Sequence, residues 1–141
     1  MIKTFLVVLI FSIWSNDYNK IQGKWVQSND ENIAKSILNL YIDKNKLYAQ
    51  VSEILDINNK KAICKECTGK NKDKPIDKMV IVEGLTFQDN YWQGGKILDP
   101  NNGRYYKCYI KMIDENTISV REYIGISFFG RSQTWKRLTK N

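Results

Sequence analysis

Alternation of polar and apolar residues is the feature that most restricts how this chain folds. Beyond residue 20 the two classes alternate over short segments, and turn-forming residues interrupt the segments at short intervals. A period of two residues is typical of a β-strand with one buried face, because successive side chains point to opposite sides. We therefore predict strands at residues 21–27, 34–42, 46–55, 79–82, 91–98, 104–113 and 117–124, with a last strand ending at residues 135–137.

Eight short strands define the expected fold class. All connections between them are short except residues 56–77, which have the composition of a long loop. Such a chain is typical of an up-and-down barrel or a sandwich. We expect an all-β protein with a single antiparallel up-and-down β-barrel, because closing the sheet removes the exposed strand edges. The 141 residues leave room for one domain, at residues 21–139.

The first 15 residues differ in composition from the rest. Lys3 gives a positive start, residues 4–14 are almost all apolar, and a polar run begins at Ser15. The apolar segment is shorter than the ~20 residues that span a bilayer, and it matches a secretory signal peptide at residues 1–15. An N-terminal β-strand and an uncleaved anchor are the alternatives. We expect an exported protein, periplasmic or extracellular, with no transmembrane span once the signal is removed.

Charge and composition exclude several classes of function. The chain has 22 Lys and Arg against 15 Asp and Glu, but the cations are mostly scattered lysines, so nucleic acid is not an expected partner. There is no histidine, which excludes a Ser-His-Asp triad, a Cys-His pair and every histidine metal ligand. We find no catalytic constellation and expect neither an enzyme nor a cofactor.

Two short motifs near the ends of the predicted barrel resemble the signature of lipocalins and other calycins. They are Gly23-Lys24-Trp25 at the start and Trp135-Lys136-Arg137 at the end. In those families a Gly-x-Trp tryptophan on the first strand packs against a basic residue from the end of the barrel. A guanidinium over an indole face adds cation–π attraction, so Gly23, Trp25, Trp135 and Arg137 are the expected barrel-closing residues.

A second resemblance covers roughly residues 21–139. The segments that carry it are 94–106 (GGKILDPNNGRYY), 120–125 (VREYIG) and 129–137 (FGRSQTWKR). Together they resemble the domain-of-unknown-function family 2147 of small exported bacterial proteins. The resemblance implies a lipocalin-like barrel and an extracytoplasmic location, and it transfers no catalytic residue. The chain departs from the family at Glu122, where the family tends to have glycine.

Three cysteines leave several interpretations open. Cys64 and Cys67 lie in the lysine-rich loop 60–78, and Cys108 lies on the apolar face of a predicted strand. In an oxidising compartment a structural disulfide is favoured, either Cys64 with Cys67 or one of them with Cys108. A zinc site with three thiolates, a redox pair and free thiols are the alternatives.

One carboxylate falls on an otherwise apolar face. Glu122 alternates in register with Ile118, Val120 and Ile124, so it points inward if the alternation is unbroken. The functional interpretation is a polar anchor for a ligand. The simpler one, which we favour, is a bulge that turns Glu122 to solvent or an ion pair with Arg131 or a lysine. The candidate ligand-binding residues are Glu122, Arg131, Tyr106 and Trp92, although aromatic residues more often fill the core.

These observations support two functions from different classes. The first is an exported barrel, expected to be monomeric, that binds a small, partly apolar molecule. The second is a structural or interaction protein of the cell envelope that contacts an anionic surface through loop 60–78. An open cavity in the barrel would favour the first, and a filled interior the second.

Overall fold

Eight antiparallel strands form a closed barrel in the computed structural model, which describes residues 17–139. Each strand pairs with the next along the chain, and the last pairs with the first. The bounds are β1 Gly23–Ser28, β2 Ala34–Asp43, β3 Lys46–Ile54, β4 Val80–Gln88, β5 Tyr91–Asp99, β6 Arg104–Asp114, β7 Thr117–Tyr123 and β8 Gly130–Arg137. The predicted up-and-down barrel is confirmed. The predicted signal peptide at residues 1–15 lies outside the described residues.

A one-turn helix, α1 (Asp17–Lys20), precedes β1. Short 3-10 turns at Ile57–Asn59 and Gly69–Asn71 lie in the long loop between β3 and β4. Within residues 17–139, no helix has the length and apolar character needed to cross a membrane.

The fourth strand is longer than predicted. The prediction of residues 79–82 took Glu83-Gly84 as the end of the strand, but β4 continues to Gln88. Between two successive β3–β4 pairs, β3 advances two residues while β4 advances three, which is a β-bulge. Gly84 lies in this bulge with a φ of 72°, a conformation that glycine adopts without steric cost. The glycine therefore bends a continuous strand instead of ending it.

Four residues in and after β7 are predicted to point inward, and three of them do. Ile118 and Val120 are fully buried, and Glu122 is only 5% exposed. The prediction is wrong for Ile124, which is 66% exposed. The strand ends at Tyr123, so the period of two no longer fixes the direction of the next side chain.

The connections give the barrel two different ends. The closed end carries α1 and three two-residue turns, at 44–45, 89–90 and 115–116. Both residues of the first two turns have positive φ, which matches the twist of hairpin strands. The other end, the mouth, carries four longer loops, at 29–33, 55–79, 100–103 and 124–129.

Apolar side chains fill the half of the interior next to the closed end. Trp25, Trp92 and Trp135 are fully buried, with aliphatic residues of the other strands between them. Tyr18 of α1 covers this end, with its ring centroid 5.8 Å from that of Phe87 and 5.1 Å from that of Trp92. Burial of these side chains contributes hydrophobic stabilisation to the fold.

Arg137 closes the barrel at the seam between β8 and β1. Its guanidinium lies 4.3 Å from the centre of the Trp25 ring. It also donates hydrogen bonds to the carbonyl oxygens of Lys20, Gln22 and Glu115, at 2.6, 3.1 and 2.7 Å. A side chain at Gly23 would place its Cβ 3.1 Å from an Arg137 guanidinium nitrogen, so glycine leaves room for this contact.

A disulfide between Cys64 and Cys67 organises the long loop at the mouth. This was one of the pairings considered from the sequence; pairing with Cys108 does not occur, because Cys108 is a free thiol buried on β6. The disulfide segment packs directly on the β5–β6 turn. A Cβ built on Gly103 would lie 2.0 Å from the carbonyl oxygen of Glu66, so this approach requires glycine.

Replacing Arg137 tests the seam. We expect Arg137→Ala to lower the free energy of unfolding by about 1–3 kcal/mol, because three carbonyl groups lose a charged donor and Trp25 loses the cation. Urea denaturation measures the change. Arg137→Lys should not restore stability, since an ammonium cannot reach three carbonyls as a planar fork does. A loss no larger than that of the neighbouring Lys136→Ala would contradict the assignment.

Replacing Gly103 tests the contact between the disulfide segment and the β5–β6 turn. Gly103 and Gly125 have nearly the same φ, 70° and 73°, but a Cβ at Gly125 meets no atom within 4 Å. Alanine at either position carries the same backbone strain, and only Gly103→Ala adds the steric clash. We expect Gly103→Ala to cost about 1–3 kcal/mol more than Gly125→Ala in thermal or urea denaturation. Equal costs would show that the two loops do not touch.

Candidate functional site

A cavity of about 470 Å³ opens at the mouth of the barrel. One side of its wall is aliphatic, formed by Val51, Ile54, Ile76, Ile81, Ile97 and Leu98. The other side is polar, formed mainly by Gln27, Ser36, Asp99, Glu122, Arg131 and Gln133. The interior is therefore filled at the closed end and open at the mouth, where the open space has one apolar and one polar wall.

A chain of hydrogen bonds forms the floor of the cavity. Ser36 donates to the amide oxygen of Gln27, whose amide nitrogen donates to the amide oxygen of Gln133, both at 2.9 Å. The Gln133 oxygen also accepts from the Trp135 indole nitrogen at 2.9 Å. Gln133 thus links the polar floor to the packed core below it.

The floor follows from the strand period. Gln27 comes two residues after Trp25 on β1, and Gln133 comes two residues before Trp135 on β8. Positions two apart share a face, so both strands change from tryptophan to glutamine on the inner face towards the mouth. On each of these two strands the inner face therefore changes from the packed core to the cavity within two residues.

The wall of the cavity contains a buried carboxylate. Glu122 on β7 points inward, and its cross-strand neighbour on β8 is Arg131. The Arg131 Nε donates to Glu122 Oε1, and an Arg131 terminal nitrogen lies 3.5 Å from Asp99 Oδ2. The hydrogen bond to Glu122 raises the pKa of Arg131 above its ordinary value. The bulge that would have turned Glu122 to solvent does not occur, and the ion pair with Arg131 does.

The charges that line the cavity do not cancel. Three carboxylates (Asp56, Asp99 and Glu122) stand against two cations (Lys35 and Arg131). Lys35 pairs with Asp56 at 3.4 Å, which leaves Arg131 to face both other carboxylates. Within residues 17–139 the Oε2 atom of Glu122 accepts no hydrogen bond. The cavity is therefore acidic, although the whole chain has a net charge of +7.

A second concavity of about 340 Å³ lies on the other side of Arg131. It shares Asp99, Glu122 and Arg131 with the first cavity and adds Tyr106, whose hydroxyl oxygen accepts a hydrogen bond from Asn102 at 2.7 Å. The predicted residues Glu122, Arg131 and Tyr106 therefore come together at the mouth.

Trp92 does not join this group. It is fully buried near the closed end against Tyr18 and Phe87, and it lines neither cavity. Its position belongs to the core, as is usual for tryptophan in a small barrel.

Sequence reasoning missed Asp99 and the two glutamines of the floor. The predicted strand 91–98 stops one residue before Asp99, which is the last residue of β5 and lies at the mouth. Gln27 and Gln133 could have been found from the strand period, since each lies two residues from a predicted core tryptophan. Polar residues at inward positions next to a mouth were the available signal.

The cysteines do not form a metal centre. Cys64 and Cys67 are used by the disulfide, and Cys108 lies next to Glu122 across β6 and β7. In the part of the chain that the structure describes, no three His, Cys, Asp or Glu residues are placed to hold a metal ion. Burial, and then the charge of Glu122, raise the pKa of the Cys108 thiol to about 12.

The thiol of Cys108 reports on the packing beneath the cavity. Because its pKa is raised to about 12, the thiol stays protonated and unreactive at neutral and mildly alkaline pH. We expect a thiol reagent such as DTNB to leave the native, non-reduced protein unmodified and to react with one thiol per chain after unfolding. Rapid reaction with the native protein would contradict the burial. Reduction of the disulfide first is the positive control, since it adds reactive thiols.

The comparisons with known proteins agree with this geometry. Residues 23–137 match the family model described as "Uncharacterized protein conserved in bacteria (DUF2147)". A search of curated proteins gives no significant match. Among solved structures, the chain is similar to Protein HP1028 from the human pathogen Helicobacter pylori, described as belonging to the lipocalin family.

That similarity has a TM-score of 0.69 at 18% identity, and it covers 82% of this chain and 80% of the other. At this identity it shows the fold alone, which is the lipocalin-like barrel that the sequence predicted. The family match extends from the first residue of β1 to the last residue of β8 and confirms the resemblance found in the sequence. The protein belongs to the DUF2147 family and folds as a lipocalin-like barrel.

Proposed function

We propose that this protein is an exported binding protein that holds one small, partly apolar molecule in the cavity at its mouth. The observation that carries the proposal is the cavity of about 470 Å³, with an aliphatic wall on one side and a buried carboxylate on the other. Sites for small molecules have this size and this mixture of apolar lining with few polar groups. An eight-stranded barrel has room for one such ligand.

Two features support export. The apolar segment at residues 4–14 has the length and flanks of a signal peptide. The Cys64–Cys67 disulfide is typical of proteins that leave the reducing cytoplasm.

The charges of the cavity support a ligand with a donor group, best a protonated amine. Glu122 is buried and has one oxygen with no donor among the described residues, and a buried carboxylate gains from every further hydrogen bond. Asp99 adds a second negative group beside it. A ligand carboxylate would meet this excess negative charge, and its attraction to Arg131 would compete with the two carboxylates already paired with that side chain.

A second candidate function is contact with an anionic surface through the lysine-rich loop 60–78. Lys60, Lys61, Lys65 and Lys74 are exposed and make no ion pair within residues 17–139. These free ammonium groups favour contact with an anionic surface. Such a contact does not require the cavity to be filled. The two functions are therefore compatible.

Three probes of equal chain length test the ligand class: octylamine, octanol and octanoate, titrated by calorimetry near neutral pH. We expect octylamine to bind most tightly and octanoate at least about tenfold more weakly, which reverses the preference expected from the basic net charge. Glu122→Gln should weaken octylamine binding about tenfold and leave octanol nearly unchanged. Glu53→Gln, at an exposed outward position of β3, is the matched control and should change neither.

The outcomes separate the parts of the proposal. No saturable binding of any probe, together with a ligand-free mass for protein purified from its own host, would contradict a binding function. Tighter binding of octanoate than of octylamine would contradict the assignment of the acidic cavity while leaving a binding function in place.

A further inference from the structure

Exposed apolar side chains are concentrated at the mouth. Ten large hydrophobic residues of the described chain are exposed, and seven of them lie in the mouth loops: Ile33, Ile57, Ile63, Ile124, Ile126, Phe128 and Phe129. Only Ile113 and Leu138 lie near the closed end. A single exposed apolar residue is ordinary, but a group on one end of a small protein marks a contact with a membrane or another protein.

The loop 124–129 is the most apolar of these segments. Its sequence is IGISFF, so it has no charged residue and Ser127 has its only polar side chain. Phe128 is 80% exposed and Phe129 is 64% exposed, with their rings in edge-to-face contact at 5.3 Å. Both aromatic side chains project from the barrel rather than packing on it.

Part of the backbone of this loop is hydrogen-bonded within the protein, by Arg121 of β7 and by the loop itself. Arg121 donates to the carbonyl oxygens of Ser127, at 3.0 and 2.8 Å, and of Phe128, at 3.2 Å. The loop also contains two backbone hydrogen bonds, Phe129 N–H to Ile126 and Ile124 N–H to Phe129, both at 3.1 Å. Unsatisfied backbone groups are the main cost of placing a loop in an apolar medium, so this arrangement lowers that cost.

The neighbouring charges favour lipid over protein as the partner. Loop 55–79 carries seven lysines against four acids, and four of the lysines are exposed without an ion pair in the described chain. The four mouth loops together carry seven lysines and six acids, so the attraction to anionic headgroups is local and modest. Apolar tips beside exposed lysines are the composition of a surface that enters the headgroup region of a bilayer.

We propose that the mouth of the barrel docks on a lipid bilayer, with loop 124–129 inserted between the headgroups and the lysines of loop 55–79 against anionic headgroups. Ile124 and Phe129 also line the second concavity, which shares Arg131 with the ligand cavity. In the docked orientation a membrane-dissolved amphiphile reaches the cavity without crossing bulk water. The docking itself needs no ligand and is independent of the binding function proposed above.

Sedimentation with vesicles of phosphatidylcholine and phosphatidylglycerol, mixed at roughly 3:1, tests the docking. We expect the wild-type protein to bind, and the double variant Phe128→Ser with Phe129→Ser to partition at least about tenfold more weakly, because the buried apolar area is lost. Ile113→Ser is the matched control, since Ile113 is 60% exposed but lies near the closed end. Its partitioning should equal that of the wild type.

Salt distinguishes this proposal from contact through lysines alone. At about 1 M salt the Debye length falls to about 3 Å, so a purely electrostatic contact would be lost. We expect binding to weaken but to remain measurable, because insertion of the phenylalanines is not screened. Complete loss in salt, or equal binding by the double variant and the wild type, would overturn the insertion.

The depth to which loop 124–129 enters the bilayer is measured with the variant Phe128→Trp and brominated lipids. The introduced indole should shift to shorter emission wavelength and be quenched on binding. The difference from the wild type removes the signal of the native tryptophans, of which Trp25, Trp92 and Trp135 are fully buried. An introduced indole that stays unquenched on bound protein would overturn the proposal. So would a wild-type dimer in analytical ultracentrifugation that the double variant loses, because the apolar loop would then be a protein interface.

Discussion

The rest of the structure depends on the closure of the sheet at the seam between β8 and β1. The backbone ladder between these strands has two residue pairs, Trp25 with Arg137 and Val26 with Lys136, whereas β2 and β3 pair along nearly their whole length. Arg137 reinforces this short seam by donating to three carbonyls and covering the Trp25 ring. Backbone groups at an unclosed seam would need other partners, so the interior exists as an enclosed space because this contact holds.

Once the sheet is closed, the inward-facing residues of each strand determine whether the interior is filled or open at a given distance from the mouth. Near the closed end the inward positions are tryptophan and aliphatic residues, and they fill the space. Towards the mouth the same faces carry Gln27, Gln133 and Glu122, which hydrogen-bond to one another or to neighbouring polar side chains instead of packing. Polar groups removed from water need partners, and these side chains find theirs within the wall. The interior beside them is open, whereas the apolar half is full.

The mouth therefore combines three properties on one end of the molecule: an open cavity, an excess of carboxylate inside it, and apolar side chains on the rim. The excess carboxylate acts at short range within a chain whose overall charge is positive, so the cavity and the outer surface attract opposite charges. The longest loop joins β3 to β4 at this end, and its disulfide segment packs on Gly103 of the β5–β6 turn.

The sequence by itself determined the fold class, the number of strands and most strand bounds, because a period of two with close turns leaves few other folds. Its register with Ile118 and Val120 also indicated an inward Glu122, but the sequence left open a bulge that would turn this side chain to solvent. It could not determine that β4 passes through Gly84, because glycine serves a turn and a bulge equally well. Only the tertiary structure decided the partner of Glu122, the role of Asp99 and the place of Trp92, since each depends on which strands meet and at what level. The exposure of the loop 124–129 was decided in the same way: its residues are as apolar as a strand, and only the end of β7 at Tyr123 turns them outward.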